Sequence, residues 1–344
     1  MISNLQALRG LAALAVVFYH TAFTFNGGVH TEFMAIAVFF VISGFIMTYI
    51  TRDNGDAKYF LTQRLIRIVP MYWLSTLVLI VLTAIVHSGH TWDNLSPGSL
   101  AKSLFFVSYW NSSGEHEPLL AVGWTLNIEM FFYLLFTAML AASRRWAPVL
   151  VCIALLAIMA AVRLSECSAT VCTLYVSGYF SYFIAGIVAY YVWCALDGYA
   201  RNRPRLVAPF AAVLVLGFAL VSAHPPLAVF LQSRLSFPMS LMPPLLVVTL
   251  LLLHSANFRV TWAPAIILGD ASYVLYLTHI IVMPAIIKSL GWFIAFDPKQ
   301  NVYAMVSMLI ICSAVAILAH YRIERPVLRI LHQKFARKPA IAQA

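Results

Sequence analysis

Continuous apolar runs about twenty residues long, repeated from one end of the sequence to the other, constrain this chain more than any other feature. Surrounded by lipid, a run of that length can satisfy its own backbone hydrogen bonds only as a helix. Hydrophobic residues make up 62% of the chain and charged residues only 10%, which excludes an ordinary soluble domain. Outer-membrane barrels read as short segments of alternating polarity, and these runs do not alternate. The pattern therefore predicts an all-α fold, a polytopic membrane helix bundle of about ten transmembrane helices. The expected spans are roughly 5–25, 33–50, 68–86, 121–142, 147–163, 174–195, 206–223, 238–254, 266–288 and 301–320. The first run has neither a basic leader nor a small-residue cleavage site, so it reads as a span and not as a signal peptide.

The charges give the bundle a direction. With the N-terminus inside, the inner segments hold Arg52, Lys58, Arg64, Arg67, Arg144, Arg145, Arg201, Arg203, Arg205, Arg259 and a tail from Arg322 to Lys338. That is sixteen of the twenty-two Lys and Arg residues. The outer loops hold only Lys102, Arg234 and Lys299, with Arg163 and Lys288 at span boundaries. This asymmetry puts both termini in the cytoplasm, as expected for a multi-pass protein of a bacterial inner (plasma) membrane. It also accounts for the net charge of +10 without a nucleic-acid partner. The expected organisation is one membrane domain, 1–325, and a short basic cytoplasmic tail, 326–344, either a membrane-surface helix or disordered. The tract from Ser103 to Trp110 is too short to span and ends in an aromatic pair, which predicts an interfacial or re-entrant helix. Cys167 and Cys172 flank a short outer loop and either pair or stay free, whereas Cys152, Cys194 and Cys312 read as packing residues. No spacing fits a metal site.

Arg9 and His20 stand eleven residues apart in the first span, almost three helical turns, so both project from one face. The rise between them is about 16 Å. Snorkelling to lipid phosphates is the competing explanation for Arg9. His20 can take a proton near neutral pH, as a hydroxyl needs when it attacks an acyl carbon. A buried histidine satisfied by a neighbouring carbonyl is the plain alternative, yet an intramembrane ionisable group reads first as functional. Arg64 and Arg67 share a face at the start of the third span, where two guanidiniums suit phosphate and also suit positive-inside anchoring. Glu129 falls about 12 Å into the fourth span, where a charged carboxylate needs a partner, a proton or water. It is expected either to meet His20, to hold a sugar hydroxyl beside Asn127, or to tether to a Tyr or Arg of another helix. Ser272, Tyr276 and His279 form a polar stripe on the ninth span, with Asp270 capping its start. Packing is the better reading for Ser272. Glu324-Arg325-Pro326 reads as a surface ion pair closing the bundle, with the proline ending the helix.

These segments in this order resemble the acyltransferase-3 family of bacterial membrane O-acyltransferases. The resemblance is carried by Leu5-Gln6-Ala7-Leu8-Arg9-Gly10 with His20, and by Val38-Phe39-Phe40-Val41-Ile42-Ser43-Gly44-Phe45. Phe60-Leu61 with Arg64 and Arg67, Trp124 through Glu129, Ser272 through His279 and Glu324-Arg325-Pro326 complete it. The compact length is most similar to the family's exopolysaccharide acetyltransferases of the ExoZ type. The resemblance implies ten spans, acetyl-CoA or another acyl-CoA as cytoplasmic donor, and a hydroxyl of a polysaccharide or lipid-linked glycan as acceptor. It implies that Arg9 and His20 are essential and that Arg64 and Arg67 bind the donor. One departure is that Ala35-Ile36-Ala37 stands where many relatives carry Gly-Val-Asp, so no role for that acid transfers. The resulting expectation is a membrane O-acyltransferase with His20 and Glu129 catalytic, Arg9, Arg64 and Arg67 on the donor, and Asn127, Tyr276 and His279 near the acceptor. Its rivals are a proton-coupled transporter of a small anion or glycan precursor, and a scaffold of a polysaccharide synthesis complex.

Overall fold

The computed structural model describes residues 2–26, 32–53, 55–86, 90–112, 114–165, 172, 178–223, 239–290 and 302–335. Every regular element among the described residues is helical. Seven of these helices are long and apolar enough to cross a membrane, and Pro204–Phe218 and Met242–Ser255 are shorter apolar helices. Several carry a full row of exposed apolar residues. On the helix Ala57–Val86 that row is Leu74, Leu77, Val81 and Ile85; on Pro204–Ala223 it is Leu206, Phe210, Val213, Leu216 and Leu220. Exposed apolar rows at helical spacing suit a lipid-facing surface, and with seven helices of spanning length they mark a multi-pass membrane protein.

The chain divides into two compact units. The first comprises Met1–Tyr49, Gly178–Leu275 and Leu290–Ser313, and the second Ile50–Ser177, Tyr276–Ser289 and Ala314–Ala344.

The first unit is built on α1 (Ser3–Asn26) and α2 (Glu32–Thr51). Close approach of backbones holds it together. Gly10 of α1 lies against Gly269, where an added Cβ would come within 2.9 Å of the Gly269 nitrogen. A Cβ on Gly44 of α2 would strike the Phe183 carbonyl, and one on Gly186 would strike the Val41 carbonyl. Small residues are what let membrane helices pack this tightly. Ala35, Ile36 and Ala37 are all buried core.

In the second unit α3 (Ala57–Val86) begins well before the expected boundary at 68, because Asp56 caps it by accepting from the Tyr59 N–H at 3.0 Å. A four-residue helix, α4 (His90–Asp93), and then α5 (Pro97–Leu104) follow. The interfacial helix expected over 103–110 is therefore displaced. Ser96 and Ser99 form a capping box with Pro97 in the first turn, which starts the helix early, and Phe106 at φ 59° ends it. The chain from Phe105 to Leu120 folds back on α3: Phe106 packs on the Tyr72 ring at 4.8 Å, and the Trp73 indole donates to the Leu104 carbonyl at 2.8 Å. Next come α6 (Trp124–Ala142) and α7 (Ala147–Leu164).

The chain then returns to the first unit through α8 (Tyr179–Asn202), α9 (Pro204–Ala223), α10 (Met242–Ser255) and α11 (Ala263–Asp270). The ninth expected span is broken. It comprises α11 and α12 (Ser272–Leu290), separated at Ala271. Then α13 (Val302–Ala319) runs through a π-helical turn, His320–Glu324, into α14 (Arg325–Phe335). Pro326 does not stop the helix as expected: it follows directly on the π turn, whose wider hydrogen-bond spacing accommodates the missing N–H. The tail is thus helical as far as Phe335, and 336–344 lie outside the described residues. Cys172 is disulfide-bonded and Cys152, Cys194 and Cys312 are free, while Cys167 lies outside the described residues.

Candidate active site

In the first unit the Arg9–His20 face is carried by one unbroken helix, α1, whose rotation is pinned near its start. Asn4 is 2% exposed and spends its whole amide on α10 and the chain just after it. Its Nδ2 donates to the Leu250 and Phe258 carbonyls at 3.1 and 2.9 Å, and its Oδ1 accepts from the Val260 N–H at 2.8 Å. Two residues on, the Gln6 amide donates to Asp270 Oδ1 at 2.5 Å, so Asp270 receives α1. With Gly10 against Gly269, these bonds fix which way Arg9 and His20 point. His20 is half-buried, its ring edge-on to Tyr19 at 5.3 Å and its Nε2 shielded from solvent. Asn4 and Gln6 were not among the sequence candidates; polar residues opening an apolar run were the signal for them.

In the second unit the two α3 arginines differ. Arg67 Nη1 donates to Glu324 Oε1 at 2.6 Å, and His320 Nδ1 lies 2.5 Å from Glu324 Oε2. The Glu324 side chain has no exposed surface, which overturns its expected role in a surface ion pair. The π turn supplies the reason: it turns Glu324 inward to the Arg67 guanidinium, leaving Arg325 outside over the Tyr321 ring. Arg64 is half-buried and its Nε–H is buried without a hydrogen-bond partner. A buried donor left unpaired in this way is an exception among buried polar groups.

Helix α6 carries the remaining candidates. The Tyr133 hydroxyl donates to Glu129 one turn away on the same helix, and Tyr133 is edge-on to Phe60, which stacks on Phe136 at 5.2 Å. Asn127 is 5% exposed; its Nδ2 donates to Ser108 Oγ at 3.2 Å, and its Oδ1 is buried with no hydrogen-bond partner. Tyr276 was expected near the acceptor, yet its hydroxyl is tied into the start of α6. It donates to the Val122 carbonyl at 3.0 Å and shares a 2.8 Å hydrogen bond with Thr125 Oγ1. His279 is fully buried one turn further along α12, its ring 6.0 Å from that of Tyr276. The Ser272 Oγ is buried without a partner.

The second unit thus brings Tyr276 and His279 together, sets Tyr276 against the α6 segment that holds Asn127 and Glu129, and separates the roles of Arg64 and Arg67. Outside the spans, burial raises the Tyr109 phenol above its ordinary pKa, against the lowering effect of its hydrogen bonds to Ser103 and the Leu119 backbone.

Residues 2–321 match the family model described as an acyltransferase domain. The chain is 35% identical over 301 residues to the exopolysaccharide production protein ExoZ of Rhizobium meliloti, covering 86% of this chain and 89% of that one. It is 29% identical to the peptidoglycan O-acetyltransferase OatA of Listeria monocytogenes over 42% of this chain and 25% of OatA. It is also 29% identical to the acyltransferase MdmB of Streptomyces mycarofaciens, over 39% and 38% of the two chains. No solved structure matches it.

Proposed function

This chain belongs to the acyltransferase-3 family and is a membrane acyltransferase, and on that premise we propose that it moves an acetyl or other short acyl group from acyl-CoA to a hydroxyl of an exopolysaccharide or its lipid-linked precursor. The observation that carries this reading is the single pinned helix holding a guanidinium and an imidazole almost three turns apart on one face. The similarity to an exopolysaccharide production protein over most of both chains supports the acceptor class. In this reading the chain crosses a bacterial inner membrane ten times with both termini in the cytoplasm, in keeping with its basic inner segments.

Arg64, Arg67 and Arg9 receive the diphosphate of the donor, and its pantetheine arm runs along the Arg9–His20 face. His20 acts as general base. It takes the proton of the acceptor hydroxyl as that oxygen bonds to the acyl carbon; the carbon–sulfur bond breaks and the proton passes to the leaving thiolate. Direct transfer is preferred to an acyl-histidine intermediate, which would need a second base for its breakdown. Glu129 and Asn127 orient the acceptor, with Tyr276 and His279 lining its approach. Family membership favours this chemistry over a proton-coupled carrier.

The test compares O-acetyl groups on the surface glycan by proton NMR in cells with the gene, without it, and with His20→Ala. General-base help is worth about 10²- to 10⁴-fold, so the variant should insert and fold yet leave the glycan almost unacylated. Near-parental acylation by His20→Ala would refute the mechanism.

A further inference from the structure

A cavity of ≈ 340 Å³ opens within the first unit, away from the Arg9–His20 face in sequence, lined by Tyr49, Trp193, Asp197, Arg201, His254 and Arg259 among others. Its volume falls in the range of small-molecule sites, about 300–1,000 Å³. The residues come from the C-terminal ends of α2, α8 and α10 and from the loop after α10, and Ile2 at the start of α1 joins them. All of these ends lie on the basic, inner side of the charge asymmetry.

The walls are ordered by a chain of hydrogen bonds. The Trp193 indole N–H donates to Ser255 Oγ at 2.9 Å, and that hydroxyl donates to Asp197 Oδ1 at 2.6 Å. Arg201 pairs with Asp197 Oδ2 at 2.8 Å. Among the described residues Asp197 is the one acid lining the cavity, and both of its oxygens are taken. Arg259 therefore faces the same space as the His254 imidazole, with no acid among the described lining residues left to balance its charge. His254 Nδ1 is buried there without a hydrogen-bond partner, a polar atom that a bound group would satisfy. Beside these groups stand two aromatic faces, Tyr49 and Trp193, with ring centroids 5.9 Å apart and planes at 59°. A cationic corner next to aromatic walls suits an anion joined to a planar ring. A bare phosphate or a lipid headgroup would use the corner and leave the rings idle.

We propose that this cavity binds a phosphorylated nucleotide, with Arg259 and His254 on a phosphate and the Trp193 and Tyr49 rings against the base, and that it takes the nucleotide end of the acyl-CoA donor. The last clause rests on the donor reading above; the nucleotide site itself does not.

The purified full-length protein in neutral-lipid nanodiscs is titrated with adenosine 3′,5′-bisphosphate, which is the nucleotide portion of coenzyme A without its pantetheine, and with acetyl-CoA. The wild-type protein should bind both. Loss of a charge-assisted phosphate contact should make Arg259→Ala at least about tenfold weaker for each. Arg259→Lys should recover part of the loss, and Arg205→Ala, exposed and outside the cavity, should bind like wild type with the same melting temperature. Unchanged affinity of Arg259→Ala for the bisphosphate overturns the proposal. So does loss of bisphosphate binding when anionic lipid is added, with acetyl-CoA binding unaffected, which assigns the cavity to a headgroup. Binding of the bisphosphate that depends on Arg259, in a protein that does not bind acetyl-CoA, supports the nucleotide site and refutes the donor reading instead.

Discussion

Glu324 shows how much one side chain decides at the scale of the residue. Its carboxylate has no exposed surface and holds Arg67 and His320 together, while the Arg67 side chain is only 27% exposed. Removing one partner of a buried ion pair leaves the other charge uncompensated, at about 3–5 kcal/mol. Glu324→Ala should therefore lower the unfolding midpoint of the purified protein sharply, and Glu324→Gln, which keeps the shape and a hydrogen-bonding oxygen, should lower it less. Equal midpoints for wild type and Glu324→Ala would remove the ion pair from the account of stability. The same geometry separates the two arginines. Arg64→Ala should weaken acetyl-CoA binding at least about tenfold and leave the midpoint nearly unchanged. Arg67→Ala should lose stability as well, because it strands the buried Glu324. Wild-type affinity in both variants would return the pair to a topological role.

Between elements, the decisive feature is close backbone approach. Gly10 and Gly269 let α1 meet α11, and Gly44 and Gly186 let α2 meet α8. Side chains forced into such contacts typically cost about 1–3 kcal/mol in strain. Gly10→Val and Gly186→Val should each destabilise the protein by that order in chemical or thermal unfolding. Gly217→Val on α9, with no atom within 4 Å of its added Cβ, serves as the control. Activity should fall further in Gly10→Val than its stability loss explains, since Gly10 is one residue from Arg9 and sets the direction of that face. Activity tracking stability alone would mean that α1 is held only as packing.

For the whole molecule the open question is where donor and acceptor meet. In the proposed topology Arg9, Arg64 and Arg67 lie toward the cytoplasm, and His20 and Glu129 in the outer halves of their spans. The donor then enters from the cytoplasm and presents its acyl group outward, so that coenzyme A never crosses the bilayer. Oriented vesicles with acetyl-CoA on one face and glycan acceptor on the other should form product. Product formed only when both substrates share the cytoplasmic face would defeat the across-membrane arrangement and leave the acyltransferase identity intact.

The sequence by itself determined the helical membrane class, the approximate position of each long apolar helix and the pairing of Arg9 with His20 on one helix face. Each of these is a local property, read from twenty neighbouring residues at a time. It also carried the family resemblance, because that depends on the order of short motifs and not on their contacts. Local chemistry could have refined the boundaries too: Asp56 capping α3, and Ser96-Pro97 opening α5, are visible signals once the helix start is sought there. Tertiary structure alone decided that Arg67 belongs to Glu324 across 257 residues, that Gln6 holds Asp270 across 264, and that the Tyr276 hydroxyl serves the start of α6. A buried polar group must find a partner, but periodicity does not say which one. Only the folded chain, by placing distant helices in contact, selects among the partners that the sequence allows.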